Sequence, residues 1–276
     1  MSNSQDAKNS HGNPSTPVVT DVEGLLRLVT RDPGRPRLTW YGDDGERVEL
    51  SGAVLENWVN KVTNLLVEEF DTGPGTHVTL DLPPHWRTVV WALAVWRTGA
   101  TAILISTDAA DGADIVKEHG TGKADVVVTA RPASWSGAAS EIVAVALPAL
   151  ARRFDGELPP GAVDAASGVM TYGDQLSWAP TPEPGVAAVQ GDRADGALLH
   201  GDLVRTAYLD TAALAGARAL VRGTASSAEV LLTVLGVLAA DGSVVLLSAR
   251  RTAELDADDT ALRRITETER VTDALR

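Results

Sequence analysis

The chain has 276 residues, of which 44% are hydrophobic and 22% are charged, and it carries a formal net charge of −13. Nucleic-acid binding and docking on anionic lipid both depend on basic surface, so this charge argues against either function. The sequence contains no cysteine, which excludes disulfides, thiolate metal sites and a cysteine nucleophile and fits a reducing cytoplasm.

Residues 1–17 are polar and lack the apolar stretch of a signal peptide, so we predict a disordered tail on a cytoplasmic protein. Apolar runs further along, such as residues 89–96, are far too short to cross a bilayer. We therefore expect no association with membranes.

Strand and helix patterns alternate after the tail. Asp21 is a suitable N-cap for a first helix, and the turn at residues 42–45 predicts a hairpin between strands at 37–41 and 47–50. From Ser51, apolar residues recur at helical spacing to about residue 69. The next elements are a strand at 78–82, a helix at 85–98 that is apolar all round, and an apolar strand at 100–105.

The same alternation continues to the C-terminus, interrupted by a stretch rich in Pro, Gly and Ala. We predict a helix at 113–119, strands at 124–129, 141–146 and 186–190, a helix at 202–215, a strand at 218–222, a helix at 226–240, a strand at 243–247 and a charged helix at 256–269. The fold class is therefore α/β, a layered sheet with helices on both faces. We expect two βα subdomains at 18–153 and 185–276, joined by an irregular connection at 154–184.

Residues 73–106 read GPGTHVTLDLPPHWRTVVWALAVWRTGATAILIS, which is a strand, a turn, a helix and a second strand. This order, with its Gly-x-Gly-x-x-Val strand, resembles the acyl-adenylating (AMP-binding) enzyme superfamily. The resemblance extends over residues 39–129 and stays in register, more weakly, from residue 186 onward. It implies the fold of the N-terminal domain of these enzymes, without their C-terminal domain, and membership of a small actinobacterial family of short proteins distantly similar to them.

In that superfamily, a loop of Ser, Thr and Gly that ends in Pro-Lys-Gly holds the triphosphate. Glycine amides, hydroxyl groups and a lysine suit this task because each of them donates hydrogen bonds to phosphate. The resemblance places the loop within VAAVQGDRADGALLHGDLV, residues 186–204. Residues 190–197 contain no Ser, Thr or Lys, and their two aspartates would repel a triphosphate by on the order of 1–4 kcal/mol per close pair. The residues at the degenerate phosphate-loop position are Gly191, Asp192, Arg193, Gly196 and His200.

The resemblance therefore predicts a catalytically degenerate homologue, with no catalytic residue, no metal and no cofactor, that acts by binding a protein partner or a small ligand. No lysine follows Lys123 to replace the catalytic lysine of the missing domain. Two alternatives stay open. One is a residual ligase-like enzyme that binds ATP, AMP or an acyl adenylate and is completed by another chain, and the other is a structural subunit of a larger assembly.

Other histidines have structural interpretations. His200 near Asp202 suggests acid–base chemistry, but we favour a helix start at which Asp202 is the N-cap. His77 and His85 lie at opposite ends of one predicted strand, too far apart to share a metal ion.

Two clusters of side chains also have a structural and a functional interpretation. The acidic residues Glu254, Asp256, Asp258 and Asp259 suit the N-terminal dipole of the last helix, and a cation site is the alternative. The tryptophans Trp86, Trp91 and Trp96 suit core packing, and an acyl or aromatic pocket is the alternative. The spacing of Ser226 and Glu229 predicts a capping box.

Overall fold

The computed structural model describes residues 19–105, 124–191 and 196–275. The predicted disordered tail at 1–17 and the predicted helix at 113–119 lie outside these residues. Within the described ranges, strands and helices alternate in the predicted order.

The elements before residue 154 follow the sequence pattern closely. Asp21 and Ser51 accept hydrogen bonds from the backbone amides of Gly24 and Val54, so they begin the first two long helices as predicted. These elements are α1 (Val22–Val29), β1 (Pro36–Tyr41), β2 (Arg47–Ser51), α2 (Gly52–Phe70), β3 (His77–Asp81), α3 (Trp86–Thr98), β4 (Thr101–Leu104), β5 (Ala124–Thr129) and β6 (Ala139–Ala144).

The elements after residue 154 begin with two short ones inside the predicted irregular connection. Ser226 and Glu229 form the predicted capping box at the start of the long helix that follows. The elements are β7 (Val163–Asp164), α4 (Ala165–Gly168), β8 (Ala187–Gly191), β9 (Leu198–Leu199), α5 (Leu203–Thr211), β10 (Arg218–Val221), α6 (Ser227–Ala239), β11 (Ser243–Leu247), α7 (Ala249–Asp256), α8 (Asp259–Thr268) and β12 (Asp273–Ala274).

Two sheets organise these strands. The first has five strands in the order β12-β10-β11-β1-β2, and the second has seven in the order β7-β6-β5-β3-β4-β8-β9. Neighbouring strands are parallel except in the hairpins β1–β2 and β8–β9. The fold is therefore α/β, as predicted, with its strands divided between two sheets.

Helices α1, α2, α3 and α6 lie between the sheets, and their apolar side chains join the inner faces of both sheets in one core. Every residue of α3 is buried, as the apolar residues on all sides of this helix predicted. The outer face of the five-stranded sheet packs against α7 and α8 through Leu255 and Ile265. On the outer face of the seven-stranded sheet, Trp135 is fully buried in a second apolar cluster.

A buried carboxylate fastens the C-terminal part of the chain to the five-stranded sheet. Glu269 follows α8 and accepts hydrogen bonds from Tyr41 (2.6 Å), Arg47 (2.9 Å) and Arg218 (2.5 Å). Burial alone would raise the pKa of Glu269, but these hydrogen bonds outweigh it and lower that pKa to about 2. The carboxylate therefore stays charged and joins β1, β2 and β10.

The helix predicted at 256–269 is α8, and the side chain of its N-cap Asp258 accepts from the Thr260 amide. The sequence pattern missed α7, which precedes it and begins where the side chain of Ser248 accepts from the Arg251 amide. Asp202 occupies the N-cap position of α5, but its side chain makes no capping hydrogen bond. The structure also adds β12, which the sequence did not suggest.

Both sheets take strands from each side of residues 154–184. β1 and β2 pair in one sheet with β10, β11 and β12, while β8 and β9 extend the sheet that holds β3 to β6. The division into subdomains at 18–153 and 185–276 stays a prediction about folding units.

Among the described residues, no helix combines the length and apolar character that crossing a bilayer requires.

Candidate functional site

The candidate site lies at the edge of the seven-stranded sheet where its parallel strands end. Ligands of open α/β sheets bind outside the carboxyl ends of the strands. β3, β4, β5, β6 and β8 run parallel, so the residues that follow them meet at one edge. The predicted degenerate phosphate loop follows β8 and therefore belongs to this edge.

That loop connects the two strands of a hairpin. β8 and β9 are antiparallel, with Ala187 opposite Leu199 and Val189 opposite Leu198. Gly191 has a φ of 120° and ends β8, and a Cβ there would collide with the carbonyl oxygen of Leu104. Only glycine suits a backbone that is both left-handed and this close to its neighbour.

Gly196 also has a left-handed φ, of 78°, but no atom lies near the position of its absent Cβ. Asp192 and Arg193 lie outside the described residues. Gly191 is thus the last residue of β8, and Gly196 lies two residues before β9.

His200 lies at the opposite edge of the sheet from Gly191. Its backbone amide donates to the carbonyl of Val186 (2.9 Å), and its Nε2 is 3.2 Å from the carbonyl oxygen of Ala100. Both carbonyls precede their strands, so His200 is at least one strand length, roughly 13 Å, from the end of β8. Burial lowers the pKa of His200. The ring contacts the backbone before β4 and does not reach the residues that follow β8.

A saturated buried carboxylate marks the end of β3. Asp81 Oδ2 accepts from Arg131 Nε (2.9 Å), Thr129 Oγ1 (2.7 Å) and Trp135 Nε1 (2.7 Å), and Oδ1 accepts from Arg131 Nη2 (3.0 Å). The side chain of Asp81 is fully buried. Four protein donors occupy this carboxylate, so it fixes the edge of the sheet and has little capacity left for a ligand. The sequence alone gave no sign of this cluster, because its members are 48 to 54 positions apart.

An open cleft of about 780 Å³ separates the ends of β1 and β11 from the turn after β3. This volume falls in the range of small-molecule sites. Its apolar lining comes from Pro83 and Pro84 after β3, from Trp40 of β1 beside His85, and from Leu147 and Pro148 after β6. Asp43, Glu46, Ser248 and Arg250 lie around its mouth.

His85 is the N-cap of α3 and lines this cleft. Its Nδ1 accepts a hydrogen bond from the backbone amide of Arg87 (3.1 Å), and the ring is 4.6 Å from that of Trp40 in an edge-on contact. Burial and the nearby charge of Arg87 lower the pKa of His85 to about 3. The imidazole is therefore neutral near pH 7, and its proton is on Nε2.

The remaining sequence candidates have structural roles. His77 begins β3, away from His85, and its Nδ1 is 3.6 Å from Asp125. The tryptophans Trp86, Trp91 and Trp96 are all buried in the core, and the opening beside Trp86 and Trp91 holds only about 20 Å³. Trp96 also borders a cleft of about 590 Å³, but it is 1% exposed and its Nε1 donates to the carbonyl of Ala188. Core packing is therefore the better interpretation of these tryptophans.

The acidic cluster is divided among separate contacts. Glu254 binds Arg250 and Arg251, Asp256 binds Arg222, and Asp258 caps α8. No group of acidic residues and histidines with the arrangement of a metal site occurs among the described residues.

Comparison with known proteins gives one relative in sequence and several in structure. No family model matches the chain. It is 33% identical over 267 residues to a TIGR03089 family protein of Mycobacterium tuberculosis, and the match covers 95% of this chain and 100% of that protein.

The structural relatives are acyl-adenylating enzymes. An acyl-CoA synthetase from Brucella canis superposes with a TM-score of 0.72 over 96% of this chain, and the amide bond synthetase McbA from Marinactinospora thermotolerans with 0.64 over 92%, each at 20% identity. The chain spans 48% of the length of each enzyme. The fold is that of the N-terminal domain of this superfamily, as predicted.

Proposed function

The chain belongs to the TIGR03089 family. We propose that it is a homologue of about half of an acyl-adenylating enzyme, because it shares the fold of that part of two synthetases. We further propose that it no longer adenylates and acts in the cytoplasm by binding a small ligand or a protein partner. The observation that carries the proposal is the chemistry of the hairpin connection after β8. The resemblance assigns this connection to the phosphate-loop position, and residues 190–197 supply two aspartates and no Ser, Thr or Lys.

Charge gives the physical reason. A triphosphate needs several donors that act together, and a loop with one arginine and two carboxylates offers a net charge of the wrong sign. Gly191 and Gly196 keep the left-handed backbone of the turn, which supports retention of the scaffold after loss of the phosphate-binding side chains.

Thermal-shift titration tests the proposal. A ligand at a hundred times its Kd stabilises a protein by about 2.7 kcal/mol, a readily measured rise in Tm. We expect no shift with millimolar ATP–Mg²⁺, AMP or coenzyme A. A saturable shift with ATP–Mg²⁺ would contradict the proposed loss of nucleotide binding.

The second candidate, a residual nucleotide-binding enzyme completed by another chain, draws support from the 48% coverage of its structural relatives. It predicts that Arg193→Ala weakens an ATP–Mg²⁺ shift, since Arg193 is the only cation in residues 190–197. Arg205→Ala is the matched control, because Arg205 is exposed on α5 outside the loop.

A further inference from the structure

The cleft beside His85 has the shape and polarity of a small-molecule site, and it is separate from the connection between β8 and β9. Its walls are apolar rings and aliphatic groups, contributed by three prolines together with Trp40 and Leu147. Such walls favour an apolar ligand, and the volume of about 780 Å³ suits a molecule of drug size.

One donor in this cleft has no protein acceptor. His85 is 4% exposed, and its Nδ1 is occupied by the amide of Arg87. Among the described residues, Nε2 has no hydrogen-bond partner, and it is not one of the fully enclosed unpaired atoms. The neutral ring therefore presents an Nε2–H donor to the cleft, where a ligand acceptor would satisfy it.

The charged groups at the mouth already have protein partners. Glu46 accepts from Trp40 Nε1 (3.3 Å) and from the amide of Ala149 (2.8 Å). Asp43 accepts from the hydroxyl of Ser248 (2.7 Å). Arg250 is bound by Glu254, with Nε and Oε1 3.2 Å apart.

The charges and the His85 donor together favour an uncharged acceptor. A carboxylate would meet Asp43 and Glu46, and Arg250 compensates little because Glu254 already binds it. Asp43 and Glu46 would attract an ammonium group, but that group has no acceptor and would leave His85 Nε2–H unpaired.

We propose that this cleft binds an uncharged, largely apolar small molecule whose carbonyl or comparable oxygen accepts a hydrogen bond from His85 Nε2. The ring of His85 positions the ligand's oxygen, and the proline and Trp40 walls bury its apolar body. This assignment deepens the proposed binding function and rests on it.

Four matched probes test the ligand class on the full chain: benzamide, benzoate, benzylammonium and ethylbenzene. The readout is the ring ¹⁵N shift of His85 during each titration of ¹⁵N-labelled protein. Benzamide should shift the His85 signals saturably and bind about fivefold more tightly than each of the other three, as one neutral hydrogen bond allows. Equal affinity for all four probes, or no response at His85, would overturn the proposal.

His85→Asn is the matched variant, because asparagine keeps the N-cap acceptor and removes the ring donor. It should weaken benzamide binding about fivefold and leave ethylbenzene binding unchanged. His77→Asn is the control and should bind both probes as the unmodified chain does. An unchanged benzamide affinity in His85→Asn would refute the assigned donor, and the four-probe ranking on the unmodified chain tests the proposal without any variant.

The two proposals fail in different experiments. Pyrophosphate exchange by the pure protein would contradict the loss of adenylation and would not alter the probe ranking at His85. A flat probe ranking would contradict the ligand class and would leave the absence of exchange intact.

Discussion

Arg37 Nη1 donates a hydrogen bond of 2.8 Å to Oδ1 of Asp241, which lies 204 positions further along the chain. The side chain of Arg37 is 1% exposed and also donates to the carbonyls of Val29 (3.1 Å) and Gly242 (3.1 Å). This contact joins the start of β1 to the turn before β11, so the five-stranded sheet requires both ends of the described chain.

Asp241→Asn should destabilise the protein by about 2 kcal/mol, because it removes a charged acceptor from a buried guanidinium. Asparagine tolerates the left-handed φ of 57° at this position, so backbone strain does not contribute. Urea unfolding measures the loss. Asp174→Asn, which removes an exposed partner of Lys61, should cost less than about 1 kcal/mol, and equal losses would contradict the role given to Arg37.

Asp81→Asn should cost about 3 kcal/mol, since it leaves the charge of Arg131 without its carboxylate and turns an amide NH₂ toward protein donors. Urea unfolding measures this change in the free energy of unfolding. Asp125→Asn is the control, because Asp125 is half exposed and its hydrogen bond among the described residues is a single one, from the His77 amide (3.0 Å). A loss at Asp81 no greater than at Asp125 would show that the buried cluster does not hold the sheet edge.

The stability of the protein should fall as the pH falls from about 7 toward 3. The folded-state pKa of His85, about 3, lies below its ordinary value of 6.5, so the unfolded chain takes up the additional proton in this window. Between about pH 7.5 and about pH 5.5 this linkage costs about 1 kcal/mol.

His85→Asn should reduce that pH dependence, and His77→Asn should retain it, as Tm measured across the window will show. Glu269 adds to the loss of stability from about pH 5 downward, because the unfolded carboxyl, with its ordinary pKa of 4.5, takes up a proton while the folded carboxylate stays charged toward about pH 2. If Tm fell equally steeply with pH in both variants, the result would contradict burial of a neutral His85.

Gly191→Ala should destabilise the protein more than Gly196→Ala does. Both glycines have left-handed φ values, so each substitution carries a backbone cost of about 1 kcal/mol. Only at Gly191 would the new Cβ also collide with the backbone of Leu104, which forces β8 and β4 apart. Denaturation midpoints of the two variants compare these costs, and equal midpoints would mean that β8 does not pack this closely on β4.

The sequence predicted the local elements well where caps and periodicity agree. Ser51, Ser226 and the apolar pattern of α3 each gave the correct element because their signals are local hydrogen bonds or helix faces. The pairing of strands could not be read this way. β1 lies beside β11 although some 200 residues separate them, and no local pattern encodes such a neighbour.

The same limit applies to the site. The predicted phosphate-loop residues include Gly191 and His200, which the structure places at opposite edges of the sheet. The Asp81 cluster and the His85 cleft were missed, because their members come from separate strand ends. In the sequence, His85 stands only at one end of a predicted strand. Its role as the acceptor of the Arg87 amide depends on the conformation of the turn after β3, which the sequence pattern does not show.

Carboxylate-dependent exchange of labelled pyrophosphate into ATP is the direct measure of adenylation. We predict that the pure 276-residue chain, supplied with ATP–Mg²⁺ and a panel of fatty and aromatic carboxylic acids, shows no exchange above a no-enzyme blank. Exchange that depends on both the carboxylic acid and the protein would contradict a degenerate phosphate loop.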